Sequence, residues 1–154
     1  VATAPGLASG RVDGAQLARL PALLAACRER GLFRVVYLHH CPLAGVDSRR
    51  KHLVNHAAVA GTLAAGGAEL VLHGHGHRDQ RHELETVDGV APVIAAPSAS
   101  AEGRGDRPAA AYHRFAVARV EDGWELGITT RGFAAGAGAV TTLAEETRTL
   151  KRSR

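Results

Sequence analysis

The chain has 154 residues, of which 45% are hydrophobic and 22% charged, the size and balance of one ordinary globular domain. That excludes a disordered, collagenous or coiled-coil body, and no apolar run approaches the roughly 18 residues a membrane span needs. The formal net charge of +4 favours anionic ligands, but it is small, the arginines are scattered and aromatic stacking platforms are scarce, so nothing argues for a nucleic-acid partner.

Cys27 and Cys41 are the only cysteines and lack CxxC spacing, which fits a reducing compartment and no disulfide framework. Residues 1–10 show no basic-then-apolar leader pattern, so the expected location is cytoplasmic. Only Lys51 and Lys151 are lysines, and Ala, Gly and Arg dominate, as in products of GC-rich bacterial genomes.

Residues 1–12 are small, polar and Gly/Pro-containing and read as loop or disordered segment. Asp13-Gly14-Ala15-Gln16 resembles a capping box, and Leu17, Leu20, Leu24 and Cys27 follow at helical spacing. This predicts a helix over about 14–30, with Pro21 tolerated near its start and Gly31 as the stop. Phe33–Leu38 is a β-branched and aromatic run, hence a buried strand, closed by His39-His40-Cys41-Pro42. A second helix is expected over about 49–65, capped by Asp47 or Ser48 and stopped by Gly66-Gly67. Ala68–Leu72 reads as the next strand, breaking into His73-Gly74-His75-Gly76-His77.

Hairpins follow. Residues 81–87 and 91–96 flank the turn signal Asp88-Gly89, 98–108 read as loop, and 111–120 and 124–131 flank Glu121-Asp122-Gly123. Residues 132–154 are Gly/Ala/Thr-rich with a basic end and are expected to be a tail or short helix. Helix, strand, helix, strand and then hairpins indicate an α/β fold with an antiparallel extension.

Of the nine histidines, five sit at two successive strand ends. In open α/β sheets ligands collect beyond the carboxyl ends of strands, so His40 and the His75/His77 pair should approach one another. Imidazole suits Zn, Fe, Mn, Ni or Cu, and Gly74 and Gly76 let the backbone turn around His75. Other candidates are weaker. His52 and His56, four apart, are half a zinc site at best or a solvated helix face. Cys41 reads as a small apolar spacer. Ser98 and Ser100 lack a Gly-x-Ser-x-Gly context. Arg78 and Arg81 would either touch a phosphate or simply be solvated.

Val36-Tyr37-Leu38-His39-His40-Cys41-Pro42-Leu43 and Leu70-Val71-Leu72-His73-Gly74-His75-Gly76-His77-Arg78 resemble the last two blocks of the calcineurin-like metallophosphoesterases. The likeness runs in order and spacing over about residues 12–120, making 1–131 resemble the C-terminal portion of such a domain. It implies a two-sheet sandwich flanked by helices and hydrolysis of phosphate esters at two divalent or trivalent metal ions such as Mn, Fe or Zn. By the same resemblance His40, with His39 as its alternative, and His75 would share one metal, His77 would serve the other, and His39 would assist as an acid.

The family's Asp-x-His, in-order Gly-Asp and Asn-His-Asp/Glu blocks are missing; Asn55-His56 is followed by Ala57, and Gly105-Asp106 comes too late. Three neutral imidazoles without the bridging carboxylate cannot hold two mutually repelling cations. The expectation is therefore a chain that supplies the C-terminal ligands and needs a missing N-terminal half or an oligomer partner. The alternatives are a non-catalytic metal- or anion-binding remnant, and a mononuclear zinc hydrolase using His52 and His56.

Overall fold

A computed structural model describes residues 8–104, 107–134 and 138–151. Helix α1 (Gly14–Glu29) starts on the expected capping box: Gln16 N donates to Asp13 Oδ1 at 2.8 Å, and Asp13 N donates to Gln16 Oε1. Pro21 lies inside it. The chain leaves it through Gly31, whose φ of 62° suits a residue without a Cβ.

Strand β1 (Val35–Tyr37), helix α2 (His56–Gly66) and strand β2 (Leu70–His73) form a parallel crossover in which Val35 pairs with Leu70 and Tyr37 with Leu72. Strands β3 (Gln80–Thr86) and β4 (Gly89–Ala95) form the next hairpin. Its second strand inserts beside β2 in parallel, giving the order β1-β2-β4-β3. Strands β5 (Glu102–Arg104) and β6 (Arg107–Ala109) make a small hairpin. Strands β7 (Ala111–Val120), β8 (Gly123–Phe133) and β9 (Val140–Lys151) make an antiparallel meander. The fold is mixed α/β, with one mixed sheet and two small antiparallel ones.

Side chains alternate across the mixed sheet and build two cores. Val71 and Val93 face Leu24, Leu53, Val59 and Leu63 on the helical side. Leu70 and Ile94 face Leu126 and Ile128 of β8 on the other. Arg81 and Glu83 on β3 ion-pair with Glu146 and Arg148 on β9, tying the second face down at its margin.

Arg34, 4% exposed, locks the start of the crossover. Its Nε and Nη2 donate to the two Glu69 carboxylate oxygens at 2.9 and 2.7 Å, and Nη2 also donates to Asp88 Oδ2 at 2.7 Å. Arg28 of α1 pairs with the same Asp88. One guanidinium thus joins β1, β2 and the β3–β4 turn by bidentate geometry that lysine cannot reproduce.

Four expectations need correction. Helix α2 starts at His56, not near 49, because the backbone of 50–54 pairs with the N-terminal segment: Ala8 N donates to Arg50 O, Gly10 N to His52 O, and Val54 N to Gly10 O. Asn55 is likewise spent on both Val12 backbone groups, so residues 8–12 are held rather than loose; residues 1–7 lie outside the described residues. The expected loop 98–108 contains the β5–β6 hairpin. The expected tail 132–154 carries the end of β8 and all of β9, paired from Phe133↔Val140 to Gly123↔Lys151 with a bulge at Thr130/Arg131. Thr-rich sequence with alternating partners is strand chemistry, and Leu150 reaches the second core.

Removing one side of the Arg34 network should leave a buried, uncompensated charge. Glu69→Ala is expected to cost about 3–5 kcal/mol in urea unfolding, as much as truncating the core residue Leu63 to Ala, about 2–5 kcal/mol.

Candidate metal centre

Parallel pairing of β1 and β2 brings their carboxyl ends together. The ladder continues past β1, with Leu38 N donating to Leu72 O, and Gly74 N then donates to His39 O at 3.0 Å. The two His-bearing loops are thus bonded backbone to backbone. Gly76 N donates to Gly74 O at 2.7 Å, closing a three-residue turn with His75 at its centre and φ 64°. His77 is also left-handed, φ 53°. A non-glycine residue held there carries strain of order 1–3 kcal/mol, and such strain concentrates at functional sites.

His39, His40 and His75 converge: one ring nitrogen from each lies within 4.8 Å of the others. His75 Nδ1 is 3.0 Å from His39 Nε2, and the His40 and His75 ring centroids are 4.2 Å apart. His40 Nε2 lies 2.9 Å from the Ala8 carbonyl; with Nε2–H as donor, the tautomer is fixed and the Nδ1 lone pair is free. His75 Nε2 is buried without a partner. Burial first, then the neighbouring His40 and His39, push the His75 pKa below its usual 6.5. The neutral ring that results is the form a metal needs.

The expected ligands thus divide. His40 and His75 meet in one cluster, joined by His39, while His77 is exposed and outside it. His52 precedes α2, so it does not share a helix face with His56; their rings are 6.2 Å apart, and His52 Nδ1 lies against Arg49 O. Cys41 is buried, and burial above all pushes its thiol up to about 11, which makes it inert as a nucleophile at neutral pH. Arg81 is occupied by Asp79, Glu146 and Thr130, and Ser98 by the Ser100 amide.

Beside the triad is a cavity of about 260 Å³ whose lining includes Gly10, Arg11, Leu38, His39 and His40. The Lys51 charge also reaches His75. An anion approaching the three rings therefore meets positive charge. Sequence reasoning passed over Arg11 and Lys51, because only the pairing of residues 8–12 with 50–54 brings them to the histidines. A larger groove between α1 and α2 is lined by Ala25, Ala58, Gly61, Ala65 and their neighbours and contains no imidazole.

No protein-family model matches the chain, and no curated protein matches it significantly. Among the described residues no helix is long and apolar enough to cross a membrane.

Two outcomes follow from this geometry. A Cβ on Gly10 would collide with the His40 ring, so Gly10→Ala should displace that ring and weaken Zn(II) binding by about 10–100-fold in a calorimetric titration, the usual cost of losing a ligand's support. His73 and His75 both have lowered pKa values in the folded chain, chiefly through burial. The unfolded chain therefore takes up protons first as pH falls through 6.5, and the metal-free protein should lose stability between about pH 7 and pH 5. A flat melting temperature across that window would contradict the assignment of these rings as neutral.

Proposed function

We propose that this chain is the metal-binding C-terminal part of a metal-dependent phosphoesterase, with His39, His40 and His75 holding one divalent ion. The observation that carries the reading is the convergence of three imidazoles at the carboxyl ends of two adjacent parallel strands. The donor chemistry fits: three neutral nitrogens suit Zn, Fe, Mn or a similar ion and leave coordination positions open, and His75 Nε2 is buried without any other partner. The two packed sheets with helices on one face are compatible with the sandwich that the family resemblance implies.

A bound ion would supply Lewis-acid activation of water and charge neutralisation on the phosphoryl group. The chain's own groups do the rest. Arg11 and Lys51 draw in the phosphate ester, and Arg11 is able to take a phosphoryl oxygen in bidentate fashion. The walls beside the triad orient the ester for attack. His39 serves as a ligand in this reading, because a nitrogen committed to the metal does not also deliver a proton to the leaving group. His77 would serve the second ion of the complete domain together with ligands supplied by a missing half or a partner.

A second reading is a metal-binding module without turnover. It is favoured by the absence of any carboxylate from the converging group among the described residues. Zn(II) titration and metal-dependent hydrolysis of an aryl phosphate separate the two. Ala at His39, His40 or His75 should each lower affinity by more than the roughly 10–100-fold expected for losing an outer support and abolish hydrolysis, whereas His77→Ala leaves the first ion's affinity unchanged. Wild-type affinity in all three triad variants would sink both readings; tight binding with no turnover, even in the complete protein, would leave the second.

A further inference from the structure

The His40 ring hydrogen-bonds the N-terminal segment, not a strand-end loop. Its Nε2 lies 2.9 Å from the Ala8 carbonyl, and the ring lies against Gly10, where a Cβ would collide with it. Gly10 does not have a positive φ, so backbone conformation does not demand glycine there; the ring does. The same segment forms a wall of the cavity beside the triad, through Ser9, Gly10, Arg11 and Val12. It thus places both a candidate ligand and the arginine assigned to the phosphoryl group.

The segment is held by backbone bonds and by one side chain. Alternate residues face 50–55: Ala8 N donates to Arg50 O at 2.9 Å, Gly10 N to His52 O at 3.2 Å, and Val54 N to Gly10 O at 2.8 Å. Asn55 completes the ladder. Val12 N donates to its Oδ1 at 3.1 Å, and its Nδ2 donates to Val12 O at 2.9 Å. Asn55 occupies the N-cap position of α2 but makes no side-chain cap bond there, although capping is the usual use of Asn at that position. Little else anchors the segment: Ala8 and Arg11 are exposed, and Val12 is the first of its described side chains to reach a core. A stretch with exposed backbone bonds and few apolar contacts opens at low free-energy cost.

We infer that residues 8–12 are a latch on the metal centre, and that Asn55 is the positioning residue that closes it. Closed, the latch presents Ala8 O to the His40 Nε2–H and leaves Nδ1 as the lone pair for the ion. Open, it releases the ring and removes one wall of the cavity. Asn55 is not a member of the triad; it acts through Val12 and the strap. Such coupling is reciprocal: to the degree that closure raises affinity for an ion, the bound ion holds the latch closed. The inference rests on the metal-site reading but not on phosphoesterase chemistry.

The test uses the full chain, Co(II) as the ion and trypsin as the probe of opening, since Arg11 is exposed and lies within the latch. Asn55→Ala is expected to weaken Co(II) binding about 10–100-fold, the usual effect of losing a ligand's outer support, and to shift the absorption bands of the complex as His40 drops out. Asn55→Asp keeps the acceptor for Val12 N and should fall between the two. Leu150→Ala, which loosens the second core instead, should leave affinity and bands unchanged. In the wild-type chain, saturating Co(II) should slow cleavage after Arg11 by the same factor without slowing cleavage after the exposed Arg30; this arm needs no variant to fold. Wild-type affinity in Asn55→Ala, an equal loss in Leu150→Ala, or cleavage after Arg11 that is indifferent to Co(II) would overturn the latch and leave the metal centre standing. A wild-type chain that binds no Co(II) would overturn the metal centre and the latch with it.

Discussion

The parallel pairing of β1 with β2 is the constraint on which the candidate chemistry depends. Tyr37 opposite Leu72 puts the next residues of both strands at one end of the sheet, and the Gly74 N–H to His39 carbonyl bond fixes the separation of the two loops. A slip of one residue would invert every side chain of β2. It would send His73 to the opposite face and break the bond that holds His75 against His39. Register is therefore a condition of the site as much as of the core.

That register is held from the other end of the strands. Arg34 fixes the entry to β1 against Glu69 at the entry to β2, and Asp88 brings in the β3–β4 turn. A buried network of this kind is weak evidence for net stability. Its bidentate geometry nevertheless selects one arrangement of three segments, which a purely apolar contact would not do. The ionic lock and the histidine cluster sit at opposite ends of the same strands, so the first sets the alignment that the second requires.

Electrostatics at the histidine end follow from crowding. Burial first, and then the neighbouring His40 and His39, disfavour protonation of His75. His75 is the member of the cluster held in left-handed, strained backbone. Arg11 and Lys51 add positive charge nearby, and Asp47 is the carboxylate whose field reaches both His73 and His75. The cluster is thus a nitrogen-only group open to anions.

Much of this was legible in the residues. The Asp13–Gln16 capping box, the Gly31 stop, the apolar runs of β1 and β2 and the Asp88-Gly89 turn are local signals, and local backbone chemistry honours them. The histidines after two successive strands pointed to a shared site because parallel strands end on the same side. Where sequence reasoning missed, a distant partner decided. Residues 50–54 do not join α2 because residues 8–12 take their hydrogen bonds. Residues 140–151 form a strand because β8 offers an open edge. The ligand pattern was the least readable part: Gly-His-x-His spacing treats His75 and His77 alike, yet the turn centred on His75 half-buries one ring against His39 and leaves the other in solvent. Sequence alone determined which segments carry imidazoles and at which strand ends they lie, because those depend on contacts a few residues long. Only tertiary structure decided which rings meet, because that depends on register and on loops packed from elsewhere in the chain.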